Sequence, residues 1–558
     1  MYKQTVSAVL LMLACCWQEA LGQASVENFG HLTVTAADTV VYNPVRQAFD
    51  TLQVTKRIEW NTEAGTARKR RETQRGTSRR VAASDFIDGQ NSSWYDMYWF
   101  RYLYPSTGAD GQPIVLSALA AFPDEDPAYT NNVVVGCHVT ITSNKEAPSE
   151  YYNTGSWMTD VGMLMWHASC GMTIRKSQSD PLYYDLVIMP DYEGYGVTKD
   201  MPHPYLNQEV TARQVTDATR YGLALYQESP VIADCRNLLR PDWKTVTVGY
   251  SQGGSVALAT QRYIEQNGLA DELHFAGSVC GDGPYDPIAH IRYYINNNGG
   301  LLKMPVVLPL ILKGLIESSP YMSGHKIEDY LEQDFIDTGI LQWIDDKCDP
   351  EKEKTTDDVT KALKQLYKSD DSNGRFRRIL NSDGTAYIDK LVTPAVYEYF
   401  SNAANFEALP TERGVCEDLH LALESNNLTR GWQPSRPVKL WHYTSDTVVP
   451  YVNAESAVEG LGSNCSLYTA GSGIDVSWDH VGGGRVFFTG LNVGKSETDL
   501  LTEIFNSPIT FDDEIGIKLS FADAESEGVW FTLDGRRLSS EPTTKGVYIR
   551  DGKCVLLK

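Results

Sequence analysis

The stretch that decides the fold is Lys244-Thr245-Val246-Thr247-Val248-Gly249-Tyr250-Ser251-Gln252-Gly253-Gly254, followed by a helical run from Ser255 to about Asn267. A short run rich in Val and Thr is typical of a buried strand. The residues from Gly249 to Gly253 match the pattern G-x-S-x-G. In that pattern a strand turns sharply into a helix, so the serine is strained and exposed and its flanking positions have little room for side chains. A plain packing turn is the alternative interpretation.

Around this unit, strand patterns alternate with helical ones. Strands are expected at 97–104, 113–122, 133–142, 185–190, 244–249, 274–280 and 438–442, and helices at 206–227 and 255–267. The first two strands form a hairpin across the turn Gly108–Gly111, and the later ones favour a mainly parallel sheet with helices on its faces. The predicted class is therefore α/β, and the strand–serine–helix turn makes it the α/β-hydrolase fold.

The rest of the chain divides around this sheet. We expect a signal peptide at 1–22, an N-terminal extension at 23–95, the first part of the sheet domain at 96–286 and its second part at 437–508. Residues 287–436 are helix-rich and charged, so they are predicted to be a helical cap inserted into the fold. Residues 509–558 have strand-and-turn character and are predicted to be a small C-terminal β module.

The N-terminus has the features of a secretory signal. Lys3 precedes an apolar stretch from Val6 to Trp17, and Ala20-Leu21-Gly22 is a small-x-small cleavage site. The protein is therefore expected to be secreted or at the cell surface. Leu13-Ala14-Cys15 resembles the box before a lipid-modified cysteine, so membrane attachment through Cys15 stays open.

Charge and cysteine content exclude several classes of partner. The formal net charge of −23 repels nucleic-acid backbones. The basic run from Arg68 to Arg71, with Arg79 and Arg80, has no interleaved aromatic residues and is predicted to be a solvated loop. The ten cysteines have no C-x-x-C spacing, so neither a zinc site nor a disulfide-dense scaffold is indicated. No metal and no organic cofactor are implied.

The choice of partners for Ser251 follows from chemistry and chain order. A serine hydroxyl needs an imidazole to take its proton, and the imidazole needs a carboxylate to orient it. In this fold the order is Ser, acid, His. Asp446 follows the strand at 438–442, and of the ten histidines only His480 comes after it. We therefore predict Ser251 as nucleophile, Asp446 as acid and His480 as base, with Asp282 as the rival acid.

An oxyanion hole requires backbone N–H donors near the serine. One normally comes from the residue after the nucleophile and one from an earlier loop at a strand end. These are predicted to be Gln252 and Thr140 respectively. His138 and His442 are expected to be structural or to line the site.

Several segments together resemble secretory lipases and related exported esterases. They are Gly111-Gln112-Pro113, His138-x-Thr140, Ala147-Pro148-Ser149, Pro190–Gly196, Gly249–Gly254, Gly283–Asp286 and the pair Asp446 and His480. The likeness covers about 97–285 and 437–490, and it implies a Ser-Asp-His triad and ester substrates. Val139 departs from it, because such sequences often carry glycine there. The Pro190–Gly196 loop either lines the site or ties down local backbone through Asp191.

Two further segments have alternative interpretations. Leu301 to Ile316 is either an apolar lid surface over the active site or ordinary packing within the cap. The segments 531–538, 545–549 and 552–558 resemble C-terminal sorting modules of some Gram-negative exported proteins, which would make export machinery a partner. A plain β-hairpin appendage is the other interpretation of these segments.

The sequence therefore predicts an exported serine hydrolase that cleaves carboxylic esters through an acyl-enzyme. A serine peptidase of the prolyl-oligopeptidase type is the first alternative, although the extension before Met97 is too short for a propeller. The second is an inactive hydrolase scaffold that binds glycans at the cell surface. Lipid esters, acetyl groups and aromatic acids on plant polysaccharides all stay open as substrates.

Overall fold

The computed structural model describes most of the chain between residues 97 and 511. In this span it covers 97–123, 129–153, 159–169, 184–228, 238–297, 299–370, 374–471, 479–490 and 495–511. Outside it, the model covers the short stretches 32–33, 38–43, 48–51, 59–60, 530–532, 537–538, 542, 546–550 and 553–557. The predicted signal peptide and the basic run at 68–71 lie outside the described residues.

A large mixed sheet forms the centre of the molecule. Its strands are β2 (Asp38–Asn43), β3 (Ala48–Thr51), β5 (Met97–Thr107), β6 (Pro113–Pro123), β7 (Tyr129–Cys137), β8 (Tyr184–Pro190), β9 (Leu238–Leu239), β10 (Thr245–Tyr250), β11 (Phe275–Gly281), β14 (Val438–Tyr443) and β15 (Cys465–Ala470). The order is β15-β14-β11-β10-β7-β8-β6-β5-β2-β3, with β9 beside β7. The six strands from β15 to β8 are parallel, and β6 and β5 pair antiparallel as the predicted hairpin.

Helices cover both faces of this sheet. They are α1 (Asp160–Leu164), α2 (Trp166–Ser169), α3 (Gln208–Glu228), α4 (Gln252–Gln266), α12 (Val452–Leu461), α13 (His480–Thr489) and α14 (Glu497–Phe505). Val133 and Val135 of β7 face the core shared with α3, α4 and α12, whereas Val134 faces the core shared with α1, α2, α13 and α14. This alternation is the period of two that a strand buried on both faces requires. The observed architecture is the predicted α/β-hydrolase fold.

The helical segment between β11 and β14 has its own core. It contains α5 (Pro287–Asn296), α6 (Val307–Ser318), α7 (Gln333–Ile336), α8 (Ile340–Asp345), α9 (Thr356–Ser369), α10 (Pro394–Ser401) and α11 (Val415–Ser425), with the short pair β12 (Leu301–Leu302) and β13 (Ala386–Tyr387). Its apolar side chains form one cluster that also takes in Tyr205 and Leu206 of the sheet domain. The segment, called the cap below, therefore folds around its own core and packs on the sheet domain.

A buried lysine helps to fasten the cap. The Lys347 ammonium donates to the backbone oxygens of Gly194 and of Met201, the latter at 2.6 Å, and lies over the Tyr195 ring at 4.7 Å. Burial lowers the pKa of Lys347 to about 7. Nearby, the Thr142 hydroxyl donates to the backbone oxygen of Lys354 at 2.5 Å. Polar groups of the cap and of two sheet-domain loops are thus directly bonded.

Short strands complete the description at the two ends. β1 (Leu32–Thr33) pairs with β4 (Glu59–Trp60) in a separate two-stranded sheet. At the C-terminus, β16 (Trp530–Thr532), β17 (Arg537–Leu538), β18 (Gly546–Arg550) and β19 (Lys553–Leu557) form an antiparallel sheet. Among the described helices, none combines the length and the apolar composition that crossing a membrane requires.

Candidate active site

Ser251 occupies the sharp turn between β10 and α4. Its backbone angles are φ 58° and ψ −124°, a conformation that costs a non-glycine residue free energy and that occurs at functional sites. The turn is held because the Ser251 N–H donates to the Gly281 oxygen at 2.9 Å. A Cβ at Gly253 would lie 2.0 Å from the Cys137 oxygen, and one at Gly249 would lie 2.4 Å from the Gly253 oxygen. Close backbone approach thus requires both glycines of the motif.

The structure brings together the three side chains that the sequence analysis selected. Ser251 Oγ lies 2.8 Å from His480 Nε2, and His480 Nδ1 lies 2.5 Å from Asp446 Oδ2. His480 is the first residue of α13, and Asp479 caps that helix by accepting from the Gly482 N–H. The serine hydroxyl, the imidazole and the carboxylate therefore form one continuous hydrogen-bonded chain.

The second oxygen of Asp446 is held by backbone donors. Asp446 Oδ1 accepts from the N–H groups of Val448 at 2.7 Å and Val449 at 2.9 Å. Burial by itself raises the pKa of this carboxyl, but the charge of His480 and its hydrogen bond outweigh burial and hold the pKa below the usual range. Asp446 is therefore an oriented carboxylate, and a carboxylate is the form that fixes an imidazole with its proton on Nδ1.

The rival acid, Asp282, lies in the same cluster but at a different place. It follows β11, its side chain is fully buried, and an oxygen of its carboxyl is within 4.8 Å of the ligand-type atoms of Asp446 and His480. Asp282 Oδ2 is 2.7 Å from the Tyr250 hydroxyl, and Asp282 Oδ1 accepts from the Tyr443 N–H at 2.9 Å. The structure thus places Asp446, and not Asp282, in hydrogen bond with His480 Nδ1.

Both residues predicted to form an oxyanion hole line the same cavity as Ser251. Gln252 is the first residue of α4, and the first N–H groups of a helix have no partner within it. Thr140 lies in the loop after β7, where its hydroxyl is 2.7 Å from the Tyr205 hydroxyl. The neighbouring Val139 N–H is already bonded to Asp160 Oδ2 at 2.7 Å. Within this loop, the Val139 amide is therefore occupied by a carboxylate.

A histidine outside the predicted set fixes the Gln252 side chain. His203 Nδ1 donates to the Glu193 oxygen at 2.8 Å, so its Nε2 is the acceptor for the Gln252 amide at 2.9 Å. Burial lowers the pKa of His203 to about 3, which fits this neutral form. No motif in the sequence marks His203.

His138 and Asp191, which the sequence analysis also singled out, contact backbone groups and a neighbouring ring. The His138 ring stacks on Tyr192 at 3.9 Å, and its Nδ1 and Nε2 lie 2.7 and 3.0 Å from the Val139 and Asp191 oxygens. The Asp191 carboxylate accepts from the Ser149 N–H at 2.7 Å and from its hydroxyl at 2.5 Å. Asp191 therefore ties down local backbone, the second of the two interpretations of its loop.

The hydroxyl of Ser251 opens into a cavity of about 500 Å³ beneath the cap. Its wall is mainly apolar and includes Met163, Leu302, Val307, Leu308, Ile311, Leu312, Leu419, Leu423 and Phe488. Helix α6 contributes four of these side chains, while Leu310 and Leu315 on the same helix are buried in the cap core. Some side chains of the stretch 301–316 thus line the cavity, and others pack within the cap.

A second imidazole lies on the cavity wall near the triad. Asn453 Oδ1 accepts from the Asp286 N–H, which turns the Asn453 amide nitrogen toward His290 Nδ1 at 3.2 Å. His290 Nδ1 is therefore an acceptor and its proton lies on Nε2. Burial lowers the pKa of His290 to about 4, so the ring is neutral.

Asp282, Asp446 and His480 are also the one described cluster with metal-ligand geometry. Zinc lies about 2.1 Å from each of its nitrogen and oxygen ligands, which therefore stand well apart from one another. His480 Nδ1 and Asp446 Oδ2 are instead 2.5 Å apart, a hydrogen-bond distance. This geometry is that of a proton-bridged pair.

The fold is shared with solved hydrolase structures at low sequence identity. The rice cell wall degrading esterase LipA from Xanthomonas oryzae matches with a TM-score of 0.51 and 19% identity, over 77% of this chain and 94% of that one. A provisionally assigned hydrolase from Legionella pneumophila matches with a TM-score of 0.52 and 16% identity, over 75% and 91% respectively. No family model and no curated protein matches the sequence. These likenesses establish the fold.

Proposed function

We propose that this protein hydrolyses carboxylic esters, with Ser251 as the nucleophile. The observation that carries the proposal is the chain of hydrogen bonds from Ser251 Oγ through His480 to Asp446, opening into an apolar cavity. Each residue type has the chemistry that its place requires, because an isolated serine hydroxyl is a poor nucleophile at neutral pH. The shared fold with esterases is consistent with this activity.

The geometry supports a two-step reaction. His480 Nε2 takes the Ser251 proton as Oγ attacks the ester carbonyl, and the tetrahedral oxyanion accepts from the backbone N–H groups of Gln252 and Thr140. His480 then gives the proton to the departing alcohol, which leaves an acyl group on Ser251. Water, activated by the same imidazole, releases the acid. Asp446 stabilises the imidazolium in both steps.

The wall of the cavity supports a fatty acyl chain as the acid part of the ester. Its apolar side chains offer no hydrogen-bond partner to a sugar or a peptide backbone, whereas they remove an alkyl chain from water. Buried polar groups without partners are costly, so polar acyl groups are disfavoured against the apolar part of the wall. Elsewhere the cavity is lined by charged side chains, among them Glu146, Asp160, Lys303, Asp357 and Arg485. Among the substrate classes that the sequence left open, lipid-type esters fit this wall best.

Replacing Ser251 by alanine tests the nucleophile. The assay is hydrolysis of p-nitrophenyl butanoate, with the exposed Ser466→Ala as matched control. Ser251→Ala is expected to lose at least about 10³-fold in kcat, while Ser466→Ala keeps the wild-type rate. A fluorophosphonate probe should label the wild type and the control but not Ser251→Ala. Near-wild-type hydrolysis by Ser251→Ala would show that the proposed mechanism is wrong.

The same experiment separates the two alternative functions. Parallel assays on Xaa-Pro anilides test for a peptidase, and cleavage of anilides without cleavage of esters would reverse the ranking. An inactive binding protein would neither hydrolyse esters nor react with the probe. Labelling at Ser251, located by mass spectrometry of the peptide, would exclude that class.

We also propose that the chain is exported, with residues 1–22 as signal, 287–436 as a cap domain and 509–558 as a module for sorting. The apolar run from Val6 to Trp17 and the cleavage motif before Gln23 support export. The test is the mass of the mature protein from the outside of expressing cells. A free N-terminus at Gln23 indicates release, a lipidated Cys15 indicates anchoring, and an intact Met1 in the cytoplasm contradicts export.

A further inference from the structure

We infer that Asp282 is a neutral carboxylic acid that fixes Tyr250 and, through it, the backbone of His480, and so acts as a positioning residue for the imidazole. The inference rests on the proposed function for its catalytic consequence. The protonation state and the contacts of Asp282 do not depend on that function.

The first observation concerns the place of Asp282. It follows β11 with φ 35°, a left-handed conformation that a non-glycine residue adopts at a cost. The residue is fully buried, and both carboxyl oxygens have close partners. A strained residue with a buried carboxyl persists only where the surrounding contacts hold it, and these contacts lead directly to the catalytic chain.

The second observation is a proton count at Tyr250. Its hydroxyl oxygen lies 2.7 Å from Asp282 Oδ2 and 2.8 Å from the His480 backbone oxygen. Both distances are normal for O–H···O hydrogen bonds, and two full-strength bonds require one proton for each pair of oxygens. A tyrosine hydroxyl supplies one proton, and a backbone carbonyl supplies none. An ionised Asp282 would leave one hydroxyl proton shared between two acceptors in a three-centre bond. A proton on Asp282 Oδ2 instead gives each contact its own proton, with Asp282 donating to Tyr250 and Tyr250 donating to His480.

A hydrogen bond also links the side chains of Asp282 and Asp446, and two carboxyls can share one only when one of them holds a proton. The remaining contacts of Asp282 agree with a neutral acid. Its Oδ1 accepts from the Tyr443 N–H, so that oxygen acts as the carbonyl oxygen of the acid. His442 lies 3.4 Å away, but its Nε2 is 3.1 Å from the Val449 oxygen, and burial lowers its pKa to about 4. His442 is therefore neutral, with its proton on Nε2, and supplies no charge to pair with an ionised Asp282.

Electrostatics favour the same state. Burial, and next the nearby Asp446 carboxylate, raise the pKa of Asp282 well above its usual range. Asp446 has two backbone N–H donors and His480, so of the two carboxyls it is the one that keeps the negative charge. The other titratable groups facing Asp282 are Tyr250 and Tyr285, and burial raises the pKa of both well above its usual range.

This chain of donors has a catalytic consequence. Tyr250 directly precedes Ser251, and its ring lies 5.0 Å from the His480 ring. A neutral Asp282 can hold Tyr250 and His480 together without adding a second negative charge beside Asp446. The imidazole then has one carboxylate charge beside it, that of Asp446.

The protonation state is tested by infrared difference spectroscopy of wild type against Asp282→Asn at pH 7. The expected result is a protonated-carboxylic-acid band present only in the wild type, since other protonated carboxyls cancel. The absence of this band from the wild type would overturn the inference. If Asp282→Asn does not fold, Tyr250→Phe is compared with the wild type instead. This variant removes the hydroxyl that accepts from Asp282, so the carboxylic-acid band should shift but not disappear. An unshifted spectrum would equally overturn the inference.

The catalytic consequence is tested by pH profiles of kcat/KM. Asp282→Asn is expected to lose several-fold in activity with the acid limb unmoved, because the amide replaces a neutral donor. If Asp282 were ionised, removing its charge within 4.8 Å of His480 would move the limb about one pH unit or more toward acid. Such a shift would overturn the inference. Asp242→Asn, at an exposed carboxylate, is the matched control and should keep the wild-type profile.

A double-mutant cycle tests the connection through Tyr250. Asp282→Ala and Tyr250→Phe should each lower kcat about 10- to 100-fold with little change in KM, as expected for a misplaced imidazole. The double variant should be no worse than the poorer single variant, because both act on one chain. Additive losses would overturn the inference. Failure of the wild type to hydrolyse any ester would instead contradict the proposed function, and the infrared result would stand.

Discussion

The cavity predicts how the rate should depend on acyl chain length. Each methylene that leaves water for an apolar wall contributes about 0.8 kcal/mol, or a factor of about 4. Four added methylenes, from butanoate to octanoate, therefore contribute about 3 kcal/mol, or about 200-fold in kcat/KM. The cavity of about 500 Å³ is in the usual size range for ligand sites and has room for such a chain.

The perturbation is Ile311→Trp on α6, which puts an indole into the cavity. The gain from butanoate to octanoate should shrink to that of one or two methylenes, about 4- to 15-fold, with the butanoate rate within about 2-fold of wild type. Leu409→Trp is the matched control, because Leu409 is 57% exposed and does not line the cavity.

The assay is a series of p-nitrophenyl esters from acetate to decanoate, each used below its micelle concentration. A flat series in the wild type would refute the assignment of the cavity to the acyl chain. An equal loss on butanoate and octanoate in Ile311→Trp would show that the tryptophan disturbs the triad and does not shorten the site. Either result would redirect attention to the alcohol part of the ester.

Three further predictions concern orientation, the turn and pH. Asp446→Asn should lower kcat about 10³- to 10⁴-fold, because the amide stabilises the wrong tautomer of His480; a loss below tenfold would mean that another group orients the ring. Gly253→Ala should abolish hydrolysis and lower Tm, since its Cβ would lie 2.0 Å from the Cys137 oxygen; a wild-type Tm would contradict this. Burial alone would lower the pKa of His167, but Glu497, 2.9 Å away, and Asp185 raise it to about 10. Protonated His167 should therefore add a few kcal/mol to the free energy of unfolding. This stabilisation should be fully present below pH 6.5 and be lost as the pH rises to 10. Urea unfolding at pH 6 and pH 9 measures the difference in unfolding free energy between the two pH values. If His167→Gln shows the same difference as the wild type, the prediction is wrong.

Much of the catalytic half could be predicted from the sequence because its constraints are local. The strand before Ser251, the two glycines and the order of acid and histidine each follow from short-range geometry. Local patterns were less reliable at element ends. Strand β7 ends at Cys137 and not at residue 142, because the Val139 N–H bonds to Asp160 instead of continuing the ladder. Helix α4 begins at Gln252 despite its glycines, because the turn requires them there.

What could not be predicted depends on contacts between distant segments. Asp282 was selected only as a rival acid, since its bonds to Tyr250 and Tyr443 bring together three strand ends of the sheet. His203 and His290 have no motif around them and acquire their roles from Gln252 and Asn453. Strands β2 and β3 come from a stretch with weak patterning. Strand β2 joins the sheet by pairing with β5, and β3 pairs in turn with β2. These residues form strands because they pair at the β5 edge of the sheet.

The origin of the cavity wall has a consequence for how this protein can change over evolutionary time. Ser251 and Asp446 follow strands of the sheet and His480 begins helix α13, whereas Val307, Leu308, Ile311 and Leu312 belong to one helix of the inserted segment. If the cavity holds the acyl chain as proposed, substitutions on that helix alter which acyl chains are accepted while Ser251, Asp446 and His480 keep their positions. Under the proposed function, substrate preference can therefore evolve through this helix while the stretches that carry Ser251, Asp446 and His480 keep their sequence.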